Sequence, residues 1–247
     1  MPKVKVLAIV GPTAAGKSAL AVALAKRFGG EIISADSRQV YKGLDKGTGK
    51  ITKREMAGVP HHLLDVADPH KQFSVSDFKT EADKALEAIE ARKALPIVVG
   101  GTGLYVDTLA GLINLPDVGP NPLLRKKLRA KSAEELFQML KKKDRDRAMA
   151  IDPRNKVRVI RALEIVEAIG KVPKIKSSPA KNFIYIGLKP DDLDEKIYNR
   201  LLERLPGIIR EAKKLIKLKA ISYRRMHELG LEYRYIGLYL RGKLSKE

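Results

Sequence analysis

The sequence has no cysteine and no tryptophan, and only 8 tyrosines and 5 phenylalanines among 247 residues. The missing thiols exclude a disulfide scaffold, a thiolate zinc site and a cysteine nucleophile. No run of about 18 apolar residues occurs, so no membrane-spanning helix is expected. Acidic side chains are scarce, 29 against 49 basic ones, for a formal net charge of +20. What remains, 44 % hydrophobic and 32 % charged, is the composition of a globular chain that can bury a core. The length suits one large domain, or one with a sizeable insertion. The opening MPKVKVLAIVGPT reads directly into a phosphate-loop pattern. It is therefore expected to be a first strand and not a signal peptide, and a reducing cytoplasm is the expected compartment.

The positive charge is unevenly placed. Residues 1–110 carry 16 basic and 12 acidic side chains, a balance of +4; residues 111–247 carry 33 and 17, a balance of +16. A basic face of that size attracts polyanions at long range, nucleic acid among them. Solubility alone would leave the same imbalance, so charge by itself does not choose between the two.

Val4 to Val10 reads as a largely buried strand, Ala19 to Phe28 as a helix ended by Gly29-Gly30, and Glu31 to Ala35 as a second strand. Residues 36–72 read as loop. Ser74 to Lys93 reads as a helix capped by Ser74 or Ser76, with Phe78, Ala82, Ala85, Leu86 and Ile89 as its apolar stripe. Pro96 to Val99 reads as a further strand. Strands alternating with helices, each strand followed by a glycine turn, predict an α/β fold with a parallel sheet covered by helices. Pro116, Pro120 and Pro122 then mark a boundary. Short basic helices follow at Leu123 to Lys131 and Ala133 to Lys143, then a longer one at Asn155 to Ile169. Phe183 to Leu188 returns as a strand, and a last long helix, capped by Asp191 or Asp192, runs to about Lys219 with a kink expected at Pro206-Gly207.

Three segments carry chemistry. Gly11-Pro12-Thr13-Ala14-Ala15-Gly16-Lys17-Ser18 fits G-x-x-x-x-G-K-S between a strand and a helix, the setting in which loop amides and a helix N-terminus cradle phosphate. Lys17 can bridge phosphate oxygens and Ser18 can ligate Mg²⁺; ATP, GTP and a prenyl diphosphate present the same group. Asp36, in Ser34-Ala35-Asp36-Ser37-Arg38-Gln39-Val40-Tyr41, follows the second strand at the ligand-binding edge of such a sheet. It can act as a general base, hold Mg²⁺ through water, or merely cap a turn with Arg38 as its ion-pair partner. Gly100-Gly101-Thr102-Gly103 places a hydroxyl and free amides at the same edge, or is simply a capped turn. His61 and His62 lack a third ligand at metal spacing, so zinc is not expected there.

The loop GPTAAGKS, DSRQVY, PHHLLD at 60–65, FSVSDF at 73–78, GGTGLY and the string Asp152-Pro153-Arg154-Asn155-x-x-Arg158-Val159-x-Arg161-Ala162-Leu163-Glu164 together resemble the tRNA dimethylallyltransferase family, in order and over nearly the whole chain. The resemblance implies a P-loop NTPase-like α/β core formed by 1–115 and about 181–247, with a basic, mainly helical insertion over about 116–180 that helps bind tRNA. It implies transfer of a dimethylallyl group from dimethylallyl diphosphate to N6 of adenosine-37 in the anticodon stem-loop, with Asp36 as base, Thr102 beside it, and the loop, Lys17, Ser18-bound Mg²⁺ and an arginine on the leaving diphosphate. Arg200 and Arg204 both match the family's late arginine pair, and Arg200 is favoured. Asp36, Ser37, Arg38, Gln39, Thr102, Arg125, Asn155, Arg158 and Arg161 fall at its tRNA-contacting positions. Lys156-Val157 stands where the family often has proline-glutamine. Relatives continue past Tyr239-Leu240-x-Gly242-Lys243 into a basic helix with a tryptophan, so this chain is expected to be short at its C-terminus. A monomer is expected. Three other readings share the phosphate loop or the charge: a prenyltransferase of free adenylate, a small-molecule kinase, and a non-catalytic RNA-binding protein.

Overall fold

The computed structural model describes residues 5–174 and 182–245. The chain divides into two compact units, Met1–Ile113 with Ser178–Glu247, and Asn114–Ser177. Val4, expected to begin the first strand, lies outside the described residues.

The first unit is built on a five-stranded parallel sheet, β1 (Lys5–Val10), β2 (Gly30–Ser34), β3 (His61–His62), β4 (Leu95–Gly100) and β5 (Asn182–Gly187), in the order β3-β2-β4-β1-β5. Side chains alternate across a strand, and here both sets are apolar because helices cover both faces. Ile9, Ile32, Ile97 and Val99 pack on α1 (Lys17–Phe28) through Ala21, Val22 and Ala25. Val6, Ala8, Ile33 and Val98 pack on α3 (Val75–Ala91) and α4 (Gly103–Leu109), where the Phe78 and Tyr105 rings stack at 4.0 Å between centroids. Each fully buried aliphatic side chain contributes about 1.5–3 kcal/mol. Ser74 caps α3 in a reciprocal box with Asp77, as its sequence position suggests. Between β2 and β3 lies the short α2 (Lys53–Met56).

Behind the sheet's ligand edge, Val40, Tyr41 and Leu44 pack on α9 (Leu193–Lys217), α10 (Tyr223–Leu229) and α11 (Leu231–Tyr239), through Ile208, Ala212, Met226 and Tyr233 among others. Pro206 sits inside α9, which continues through it. The half of α9 before the proline is largely exposed, whereas Ile208, Ala212 and Leu215 beyond it are buried.

The second unit contains α5 (Pro122–Arg129), α6 (Ala133–Lys143), α7 (Arg145–Met149) and α8 (Lys156–Ile169) around Leu128, Leu136, Leu140, Val159 and Leu163. Its centre also holds a carboxylate. The Glu164 side chain is 1 % exposed and accepts from the Asn121 N–H at 2.8 Å, from Arg125 Nε and Nη2 at 2.7 Å each, and from Arg161 at 3.1 Å. Burial pushes its pKa up, but Arg125, the Asn121 amide and Arg161 outweigh that and hold it below the ordinary value. Because the folded value is depressed, this stabilisation is present above the unfolded pKa and is lost as pH falls through the folded one. Glu164→Ala should cost about 3 kcal/mol at neutral pH, checked by denaturant unfolding, because it strips the partner from two arginines and an amide. An unchanged midpoint would show that the network contributes nothing.

Candidate active site

Every loop that the sequence marks as chemical leaves the carboxyl end of a strand. The G-x-x-x-x-G-K-S loop joins β1 to α1, Asp36 follows β2, and Gly101-Thr102 joins β4 to α4. A parallel sheet brings those ends to one edge. They line a single cavity of about 520 Å³, together with Gln39, Thr48, Gly49, Arg200 and Arg204.

Ala14, at φ 62, and Gly16, at φ 85, turn the phosphate loop so that α1 starts at Lys17. Lys17 Nζ reaches back to the carbonyls of Gly11 at 2.9 Å and Pro12 at 2.6 Å. Its ammonium thus sits across the mouth of the loop, where an anion can exchange for the carbonyls. Burial holds its pKa below the ordinary lysine value; Asp36 opposes that shift and Arg200 adds to it. Those three charged groups share one electrostatic neighbourhood.

Asp36 Oδ1 accepts from the N–H groups of Arg38 at 2.8 Å and Gln39 at 3.2 Å. This Asx-type turn fixes the carboxylate and leaves the lone pairs of Oδ2 for a substrate. Thr102 Oγ1 accepts from the Ser37 N–H at 3.1 Å, so the hydroxyl ties the two loop ends and faces the residue after Asp36. A Cβ on Gly100 would lie 2.0 Å from the Ala35 carbonyl oxygen; only glycine lets β4 pass this close to the residue preceding Asp36.

Arg200 Nη2 reaches the Gly49 carbonyl at 3.5 Å, and Arg204 Nε donates to the Lys46 carbonyl at 3.1 Å. Both arginines line the cavity. Burial, with Arg200 nearby, lowers the pKa of Arg204. His61 also lines the cavity; its Nδ1 lies 2.9 Å from the Val59 carbonyl, and burial lowers its pKa. His62 pairs with Glu31 at 2.7 Å, and Glu31 holds Arg92 in a two-pronged ion pair. The two histidines therefore shape the sheet edge.

In the second unit, Arg125 and Arg161 direct guanidinium donors to Glu164, and Arg161 also to the Val118 carbonyl at 2.6 Å. A buried carboxylate demands such partners, so both arginines hold the fold. Asn155 accepts from the Arg158 N–H at 3.2 Å and caps α8, and the Arg158 side chain is exposed. Sequence reasoning missed the segment 44–50, whose residues Gly47, Thr48 and Gly49 line the cavity, together with Tyr233, which also lines it, and Glu211 behind it. Its glycine-rich run, Lys46-Gly47-Thr48-Gly49-Lys50, was the available signal.

Glycine-turned loops at one edge of a helix-flanked parallel sheet define an α/β protein of P-loop NTPase-like fold. The IPP transferase family model matches residues 39–247. The chain is 42 % identical to the tRNA dimethylallyltransferase of Anoxybacillus flavithermus, covering 90 % of this chain and 77 % of that protein. It is 40 % identical to the one from Caldanaerobacter subterraneus, covering 99 % and 82 %. Among solved structures it is similar to the full-length tRNA isopentenylpyrophosphate transferase of Bacillus halodurans, with TM-score 0.68, 40 % identity, and coverage of 99 % of this chain and 80 % of that one. It is also similar to a eukaryotic dimethylallyltransferase acting on tRNA, with TM-score 0.78, 31 % identity, and coverage of 91 % and 59 %. The chain belongs to the IPP transferase family, and it is a prenyl-transferring enzyme.

The lowered pKa of Lys17 has a direct consequence if the loop binds an anion, as the sequence leads one to expect. As pH rises, the ammonium is lost before the ordinary lysine value of 10.5 is reached, so affinity for inorganic pyrophosphate should decline from a correspondingly lower pH. Lys17→Arg should move that decline upward, because a guanidinium stays charged. Calorimetric titration across the alkaline range checks both, and coincident profiles for the two proteins would contradict the assignment.

Proposed function

We propose that this chain transfers a dimethylallyl group from dimethylallyl diphosphate to N6 of adenosine-37 in the anticodon stem-loop of tRNA. The observation that carries the reading is one cavity that gathers a phosphate loop, a turn-fixed carboxylate, a hydroxyl and two arginines. The family supplies the chemistry to which these groups are suited.

In this reading the diphosphate lies in the loop Gly11 to Ser18, held by its amides and by Lys17. The target adenine leaves its stack to enter the cavity, at a cost of a few kcal/mol. Its N6 attacks the allylic carbon, the carbon–oxygen bond to diphosphate breaks, and the N6 proton passes to Asp36. Thr102 keeps the Asp36 turn in register. Lys17 and Arg200 balance the charge that grows on the departing diphosphate. Ser37, Arg38 and Gln39 lie beside the entering nucleotide, and exposed basic residues such as Arg158 contact RNA phosphates.

Among the described residues, no group of three or more His, Cys, Asp or Glu is arranged to hold a metal. The Ser18 hydroxyl at the start of α1 nevertheless fits Mg²⁺ bound mainly by diphosphate oxygens and water. Ser18 would hold the ion, which would neutralise charge on the diphosphate. No described helix is long and apolar enough to cross a membrane. We also propose that the protein acts as a monomer in the cytoplasm.

The test is incubation with labelled dimethylallyl diphosphate and either unmodified tRNA, AMP or buffer. Label in tRNA is expected. Label in AMP but not tRNA, or RNA binding without transfer, would contradict the proposal.

A further inference from the structure

The loop that forms one wall of the cavity is held by a carboxylate that does not itself line the cavity. Glu211, in α9 beyond Pro206, accepts from three consecutive backbone N–H groups: Asp45 at 2.9 Å and Lys46 at 2.8 Å on Oε2, and Gly47 at 3.0 Å on Oε1. The Tyr233 hydroxyl in α11 donates to Oε1 at 2.6 Å. Successive amides converging on one carboxylate form an anion nest, here filled by the protein's own side chain. The Tyr233 ring lies flush with the loop, because a Cβ at Gly47 would come within 2.4 Å of its Cζ. Burial, followed by the Glu211 charge, raises the pKa of the Tyr233 hydroxyl, so it remains a donor.

The rest of the loop is also fixed. Lys50, whose side chain is 5 % exposed, donates to the Tyr41 carbonyl at 2.9 Å and to Asp45 and Asp65 at 2.8 and 2.6 Å. What this rigid segment presents to the cavity is a row of carbonyls. The Lys46 carbonyl receives Arg204, the Gly49 carbonyl receives Arg200, and Gln39 Nε2 lies 3.4 Å from the Gly49 carbonyl and 3.5 Å from that of Thr48. Long arginine side chains lose rotamer freedom when they are held. A pre-set row of acceptors carries that cost before the ligand arrives.

We propose that Glu211 and Tyr233 are positioning residues: by clamping the backbone of residues 45–47 they set the carbonyls that aim Arg200 and Arg204 at the diphosphate. The assignment rests on the reading that the cavity binds an organic diphosphate. It adds a role for Glu211, which does not line the cavity, and for Tyr233, whose hydroxyl is turned to Glu211 although the residue also lines the cavity. It also makes α9 a two-part lever, with the arginines before or at the cavity wall and the clamp one turn and more beyond Pro206.

The experiment uses the full chain with Glu211→Gln, Tyr233→Phe and the double variant. Glu211→Gln keeps the shape but turns an amide N–H₂ toward backbone or hydroxyl donors. The expected results are a rise of about tenfold in the pyrophosphate dissociation constant and in the KM for dimethylallyl diphosphate, an unchanged KM for tRNA, and cooperative unfolding retained. Tyr233→Phe should move the same parameters less, and adding it to Glu211→Gln should have no further effect, since the two act as one unit. Should Glu211→Gln fail to fold, Tyr233→Phe alone decides, through the same pyrophosphate titration. Unchanged pyrophosphate affinity in the folded variants, or equal losses toward both substrates, would overturn the proposal. A wild-type protein that binds pyrophosphate but transfers no prenyl group would instead count against the proposed function, because the pyrophosphate titration does not depend on turnover.

Discussion

Replacing Asp36 by asparagine should stop prenyl transfer while leaving tRNA bound. The exocyclic amine of adenine is a weak nucleophile, so its proton must leave as the new bond forms, and a positioned base contributes about 10²–10⁴-fold. Asp36 Oδ1 is committed to the Arg38 and Gln39 amides, which leaves Oδ2 to take the proton. Asparagine can keep the first oxygen in place and so preserve the turn, but the lone pair of its amide nitrogen is delocalised into the carbonyl and does not take the proton. A fall in kcat of about 10³-fold is therefore expected, with the dissociation constant for tRNA unchanged. Steady-state kinetics and a filter-binding titration measure the two separately. Turnover that survives the substitution would remove Asp36 from the role of base.

Gly100→Ala should damage both the fold and the reaction. The added methyl group would lie 2.0 Å from the Ala35 carbonyl oxygen and 2.4 Å from its carbon. Both are backbone atoms and cannot swing aside. The same stretch of backbone carries the Ala35 N–H bond to the Val99 carbonyl at 2.7 Å and the Thr102 N–H bond to the Ala35 carbonyl at 3.3 Å. The ends of β2 and β4 must then separate, and they carry Asp36 and Thr102 with them. A stability loss of about 3 kcal/mol is expected from overpacking at a backbone contact. A displacement near 1 Å at the reacting groups should lower kcat/KM by about 10²-fold. Denaturant unfolding and kinetics on the same preparation report both, and wild-type values in either would contradict this account of the β2–β4 junction.

The parts of the site that sequence reveals are those whose function needs local spacing. A phosphate loop must place its glycines, lysine and serine within eight residues, and an aspartate fixed by its own downstream amides needs only its neighbours. Those features, and the strands that carry them, are legible from residue order. The two-residue strand β3 is not, because His61-His62 is too short to show a period; it is held by pairing with Ile32 and Ile33 and by the Glu31 ion pairs. Glu211 and Glu164 are the clearest cases of hidden roles. On a helix either reads as a solvated acid, and only contacts far apart in sequence, with Asp45 to Gly47 in one case and Asn121 and Arg125 in the other, turn Glu211 into a half-buried anchor and Glu164 into a buried one. The ion pairs of Arg125 and Arg161 with Glu164 were hidden for the converse reason, since a basic residue on a helix shows no partner until the fold brings the carboxylate to it. From sequence the last expected helix ends at about Lys219 and neither α10 nor α11 is placed; these are two short helices separated by the single residue Gly230 at φ 78.

The central claim is that one cavity brings a prenyl diphosphate and a single tRNA base together. It is tested most directly by incubating an unmodified tRNA transcript with the protein and dimethylallyl diphosphate, then mapping the product by nuclease digestion and mass spectrometry. The account predicts one five-carbon adduct, on N6 of adenosine-37 and nowhere else, with one diphosphate released per adduct. An adduct at another position, or diphosphate release without any adduct on RNA, would contradict it.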